Sequence, residues 1–168
     1  MADVTLEAIK TLREETSAGI MDCKSALIES NGDQTKATEI LKAKGLLTAS
    51  KKSTRETSEG IIDCYIHTGG RVVAVVELNC ETDFVARTPE FKDLAHNLAM
   101  QVAAMAPTYL DSGSVPKSEN VNPEEYCLME QSFIKDPSTT IRDLINETVG
   151  KVGENIRVRR FQRFSLGE

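Results

Sequence analysis

Two carboxylates, a thiol and an aromatic ring lie close together in the run Asn79-Cys80-Glu81-Thr82-Asp83-Phe84-Val85-Ala86-Arg87. The run follows an apolar, strand-like stretch and sets an acid beside a bulky ring where that stretch ends. Glu81 and Asp83 have the residue types of an acid–base pair, but residues two apart at a helix start point in different directions. Two readings of Asp83-Phe84 stay open. In one, Thr82 is the N-cap of a helix, Asp83 sits in its first turn and Phe84 packs in the core. In the other, the ring is a wedge for a partner's pocket and the acid disturbs the partner's charge balance. Acids at helix starts and buried phenylalanines are common, which locally favours the first.

Other chemistry is poorly supported. Cys23, Cys64, Cys80 and Cys127 are scattered without a Cys-x-x-Cys pair, so buried free thiols are expected rather than disulfides or zinc. Cys64 and His67 have ligand-like spacing, yet two further ligands are missing, and no metal site is expected. With two histidines, neither near a nucleophile, and no phosphate-binding, dinucleotide or metalloprotease motif, no catalytic residue and no cofactor is expected. The chain reads as a non-enzyme.

The 168 residues, 40% hydrophobic and 27% charged, suit one ordinary domain or a small module plus a core. No apolar run approaches the ~20 residues that cross a bilayer, and Met1-Ala2-Asp3-Val4 lacks a signal-peptide pattern, so a cytoplasmic protein without a membrane partner is expected. The net charge of −6 argues against general nucleic-acid binding, although residues 151–168 carry 5 basic and 2 acidic groups. The stretch Arg157 to Arg163 could touch phosphates or an acidic partner, but the solvated face of an alternating strand is the better reading.

Along the chain, three short helices come first. Leu6, Ile9 and Leu12 share a face over residues 5–15, with Arg13 beside it. Ile20, Lys24, Leu27 and Ile28 start a second helix after Gly19. Asp33 caps a third, striped by Ala37, Ile40, Leu41 and Lys44, which is expected to stop at Gly45. So small a unit, residues 1–55, reads as a docking module. Residues 49–59 read as a partly helical linker that lets the module move independently of the core, residues 56–168. In that core, strands at 60–66 and 72–78 flank a turn with Gly69-Gly70. Thr88-Pro89-Glu90 opens a helix with Phe91, Leu94, Leu98 and Val102 inside and Gln101 outside. A loop over 107–122, a short helix from Pro123, a strand at Ser132–Lys135, an Asp136-Pro137 turn, a helix at 139–151 and a closing strand complete it. The period-two pattern of that strand slips near Arg160, which predicts a bulge.

Three blocks resemble one family. The run Leu12 to Leu27, the run Asn79 to Arg87 and the run Val152-Gly153-Glu154-Asn155-Ile156-Arg157-Val158-Arg159-Arg160-Phe161 are similar, in this order, to bacterial translation elongation factor Ts. The resemblance implies an α+β fold: a ubiquitin-associated-like three-helix module, then antiparallel strands packed with helices. It implies exchange of GDP on elongation factor Tu, bound both with GDP and without nucleotide. It implies that Thr82, Asp83, Phe84 and Val85 enter that partner and dislodge its magnesium ion, with Phe84 as wedge and Asp83 as polar partner. Contacts of the first module fall on Arg13, Ile20, Met21 and Lys24. The single core implies a non-covalent homodimer, because Gln162 stands where some short members carry cysteine. Residues 107–131 are shorter than the family leads one to expect. The runner-up is a ubiquitin-associated-like binding adaptor without exchange activity.

Overall fold

The computed structural model describes residues 4–16 and 18–167, so the reading of residues 1–3, and Ser17 within the first block, lie outside the described residues. The amino-terminal unit is built by α1 (Leu6–Thr16), α2 (Ile20–Glu29) and α3 (Gln34–Lys52). Its core is small: Ile9, Leu12, Cys23, Ala26, Leu27 and Ala37. Leu6, expected inside, stands exposed in the first turn of α1. On α2, Cys23, Ala26 and Leu27 are buried, while Ile20, Lys24 and Ile28 are exposed. Small Cys and Ala side chains let the neighbouring helices approach, a signal that large apolar residues obscure.

Gly45 does not end α3. The helix runs on to Lys52, capped at its start by the Asp33 carboxylate, which accepts from Lys36 N–H. Its second half packs on the core, where Ala49 joins the main apolar cluster. Lys52 and Arg157 donate to the carbonyls of Gly153 and Ser53, and Asn155 Nδ2 donates to Arg55 O at 2.8 Å. The stretch expected to be a linker is therefore a structural joint. The reason is packing: glycine at 45 and at 150 lets two helices meet closely, and this tertiary contact overrides glycine's weak helix preference.

The rest is an antiparallel three-stranded sheet with helices on one face, which makes the fold α+β. Strands β1 (Glu59–Ile66) and β2 (Val72–Cys80) form the expected hairpin, with Gly69 and Gly70 at φ 91° and 66° in its turn. Strand β5 (Ile156–Ser165) pairs with β2 to give the order β1-β2-β5. Glu77 faces Arg160 and Leu78 faces Val158, so Arg159 is the extra residue of the expected bulge. Between β2 and β5 come α4 (Asp83–Ala86), α5 (Pro89–Met105), α6 (Pro123–Tyr126), a short hairpin of β3 (Ser132–Phe133) and β4 (Asp136–Thr140), and α7 (Ile141–Val152).

Helix α5 lies across the sheet and buries Phe91, Leu94, Leu98 and Val102. Gln101, expected outside, is fully buried: its Nε2 donates to Gln131 Oε1 and Ser132 O, and its Oε1 accepts from Ile134 N–H. A buried amide is tolerable because each of its ends is bonded. Asp136-Pro137, expected as a turn, begins β4. Helix α7 starts with a capping box between Thr140 and Asp143 and ends at Gly153 in the left-handed conformation (φ 76°).

Candidate functional site

The strand β2 is central and buried on alternate positions through Cys80, so its end is a fixed point. Three residues later the chain forms α4, a single turn. Val85 and Ala86 are buried there, while Phe84 is 83% exposed. The reading that placed Phe84 in the core is overturned. One turn has only one inward side, and Val85 and Ala86 occupy it, so the ring must project.

Thr82 occupies the N-cap position but does not cap through its side chain. Its hydroxyl donates to Glu154 Oε1 at 2.6 Å instead. Glu154 Oε2 accepts from the backbone N–H groups of Glu81 and Thr82 at 3.1 and 2.9 Å. In return, Glu81 Oε1 accepts from Asn155 N–H at 2.7 Å and the Glu81 carboxylate pairs with Arg55. The Asn155 N–H, with Arg55 second, holds the Glu81 carboxyl below its ordinary pKa. Burial, reinforced by the Glu154 charge, pushes the Cys80 thiol up to about 11. Asp83 pairs with Arg87 one turn on, at 2.8 Å. Glu154 and Asn155 were not singled out as site residues in the sequence; the only signal was their place in the closing run.

The second predicted group lies on the amino-terminal unit. Arg13 lies in the last turn of α1, and Ile20, Met21 and Lys24 line the outer face of α2; all four are exposed, with Met21 at 71%. None of the eight predicted residues lines a cleft of about 490 Å³ that lies between the α1–α2 turn, α3 and α7. Both predicted groups are protrusions, a shape suited to entering a partner rather than enclosing a small molecule.

A third surface was not anticipated residue by residue. The sheet face away from α5 carries the rows Ile62–Glu77–Arg160, Cys64–Val75–Gln162 and Ile66–Val73–Phe164. Ile62, Ile66 and Phe164 are each more than half exposed, and Cys64, expected to be buried, is exposed as well. The arginines of β5 are largely committed to the fold. Arg157 bonds Ser53 O, Arg160 pairs with Glu77 at 2.6 Å, and Arg163 donates to Ala103 O. Among the described residues, no helix is long and apolar enough to cross a membrane.

Residues 3–123 match the family described as Elongation factor TS. Similar proteins named elongation factor Ts include that of Thermotoga sp. strain RQ2, 48% identical over 194 positions that cover 99% of this chain and 98% of the relative. The protein of Thermoanaerobacter sp. strain X514 is 46% identical over 195 positions, covering 98% and 96%, and that of Carboxydothermus hydrogenoformans is 47% identical, covering 98% and 90%. The aligned span is longer than the whole 168-residue chain, so the relatives carry residues that this one lacks.

Proposed function

This chain belongs to the elongation factor Ts family of translation elongation factors, and from that premise we propose that it is a guanine-nucleotide exchange factor for elongation factor Tu. The observation that carries the reading is Phe84: a large ring 83% exposed on a turn whose other apolar residues are buried and whose start is bonded to the core. Phe84 enters the GTPase near its magnesium site, and Asp83, released from Arg87, rearranges the polar groups there. Val85 anchors the turn from beneath. Arg13, Ile20, Met21 and Lys24 grip the same partner.

The work is done by linkage, without covalent chemistry, cofactor or resident metal. GDP is held largely through its phosphates and magnesium, so displacing the ion strips charge compensation from the diphosphate. A factor that binds the nucleotide-free partner more tightly than the GDP-bound one must weaken GDP by the same ratio. A thousandfold effect needs about 4 kcal/mol, and a ring that becomes buried at an interface is the kind of anchor that supplies much of it.

The exposed apolar residues of the outer sheet face, Ile62, Ile66 and Phe164, support a non-covalent homodimer, two such faces stacking about 10 Å apart. A cytoplasmic setting follows from the role in translation. The competing reading is a ubiquitin-associated-like adaptor that binds through Ile20 and Met21 without exchange. Stopped-flow release of fluorescent GDP from elongation factor Tu separates the two. The parent chain accelerates release, and Phe84→Ala abolishes most of the acceleration; an adaptor would leave release at its spontaneous rate. Removing residues 1–55 is a poor test, because Ala49, Lys52, Ser53 and Arg55 belong to the joint with the core.

A further inference from the structure

Phe84 has to arrive at the partner in one orientation, and α4 cannot secure that alone. A single turn has almost no intrinsic stability, and its N-cap residue, Thr82, supplies no capping bond from its side chain. Two backbone N–H groups, of Glu81 and Thr82, would be left without protein partners. Both are taken by one carboxylate oxygen from the other end of the core, Glu154 Oε2, while Oε1 accepts from the Thr82 hydroxyl.

The position of Glu154 is itself built. Gly153 turns the chain at the end of α7 in a conformation that residues with side chains rarely adopt. That turn sends two consecutive residues toward the end of β2, Glu154 by its side chain and Asn155 by its N–H, which donates to Glu81. The contact is reciprocal: each segment offers a carboxylate to the other's backbone. Charge-assisted bonds of this kind are short and about twice as strong as neutral ones.

We propose that Glu154 is a positioning residue for Phe84: its carboxylate latches the start of α4 and fixes the direction in which the ring projects. This rests on the exchange reading above. The latch acts through the ring, since Glu154 does not itself project with it. A longer loop or a looser turn would still display a phenylalanine, but would spend binding energy on ordering it.

The test uses the full chain with five variants, three at Glu154, Phe84→Ala alone, and Phe84→Ala combined with Glu154→Ala. Glu154→Ala should lower the maximal GDP-release rate at saturating factor by about ten- to a hundredfold, the upper figure being what a misplacement of about 1 Å costs a positioned group. Glu154→Asp keeps the charge but draws it back by one methylene, and should behave like the alanine variant. Glu154→Gln should restore release to within about twofold, because its carbonyl can take both N–H groups and its amide can donate to the Thr82 hydroxyl. In a Phe84→Ala background, Glu154→Ala should have no further effect, whereas a general loss of structure would multiply with it. In the protein alone, amide exchange at Glu81 and Thr82 should quicken in the alanine variant while the urea midpoint moves little. Full exchange activity in both Glu154→Ala and Glu154→Asp, or losses that multiply with Phe84→Ala, would overturn the proposal. A parent chain that fails to accelerate release would instead overturn the exchange reading, and this one with it.

Discussion

Gly45 of α3 and Gly150 of α7 meet so closely that a Cβ on Gly150 would come within 3.1 Å of the Gly45 Cα. The neighbour is backbone and cannot swing aside, so the helices themselves would have to part. The reverse substitution is not symmetric. A Cβ on Gly45 would meet nothing nearer than Asn146 O at 3.8 Å, an ordinary contact. Overpacking costs about 1–3 kcal/mol, against a helix-propensity gain for alanine over glycine of about 1 kcal/mol. Gly150→Ala is therefore expected to lower the urea midpoint, and Gly45→Ala to raise it slightly. Equal effects from the two would show that the crossing is not the tight contact described.

Two phenylalanines seven residues apart should part company under the same substitution. Phe91 is fully buried on the sheet, and Phe84 is 83% exposed. Phe91→Ala should cost about 3–5 kcal/mol. Phe84→Ala should stay within about 0.5 kcal/mol of the parent while losing exchange activity. Chemical denaturation followed by circular dichroism measures both, and a large loss of stability in Phe84→Ala would remove the argument that the ring is kept for a partner.

That contrast also marks what was legible in the sequence. The α5 stripe, the β1–β2 hairpin and the bulge near Arg160 were readable, because each follows from a local period or a turn residue. The direction of Phe84 was not readable from its neighbours, because local rules allow a ring at a helix start to point either way. Gly45 misled for a related reason: a glycine that ends a helix and one that admits a neighbouring helix look alike until the partner, Gly150, is placed against it. The Glu154–Thr82 contact joins residues 72 apart in sequence, and no periodicity reports such a pairing. The amino-terminal faces were half legible, since Leu12 and Leu27 are large apolar residues while the buried Cys23 and Ala26 are small.

Acid should loosen the contact between Glu81 and Asn155. The folded-state pKa of Glu81 lies below its ordinary value, chiefly through the Asn155 N–H and then Arg55. A depressed pKa means that the carboxylate contributes stability above its unfolded-state pKa and loses it as pH falls through the folded-state one. Amide exchange at Asn155 should therefore stay slow at neutral pH, once corrected for the intrinsic pH dependence of exchange, and open selectively below the ordinary carboxylate range. Glu81→Gln should remove that selective pH step. A step of the same size in Glu81→Gln would assign it to another group.

The outer sheet face makes the most exposed claim of the proposed dimer. Ile66, Val73 and Phe164 form one cross-strand row, and Cys64 lies in the next row beside Val75 and Gln162. Nothing else among the described residues covers Ile62, Ile66 or Phe164, each more than half exposed. A charge buried in such an interface without a partner is costly, so Ile66→Asp, in the row nearest the β1–β2 turn, should convert a dimer to a monomer with the fold intact, as Ile66 is more than half exposed in its own chain. Cys64 provides a second readout in the same experiment. Its thiol is exposed in the single chain, whereas Cys23, Cys80 and Cys127 are buried. Stacking two sheets would shield it, so alkylation of Cys64 should be slow in the parent at concentrations where it is dimeric and fast in Ile66→Asp. Analytical ultracentrifugation sets the mass, and timed labelling sets the access. A parent that sediments as a monomer at tens of micromolar, or a variant that stays dimeric with Cys64 shielded, would move the interface off this face.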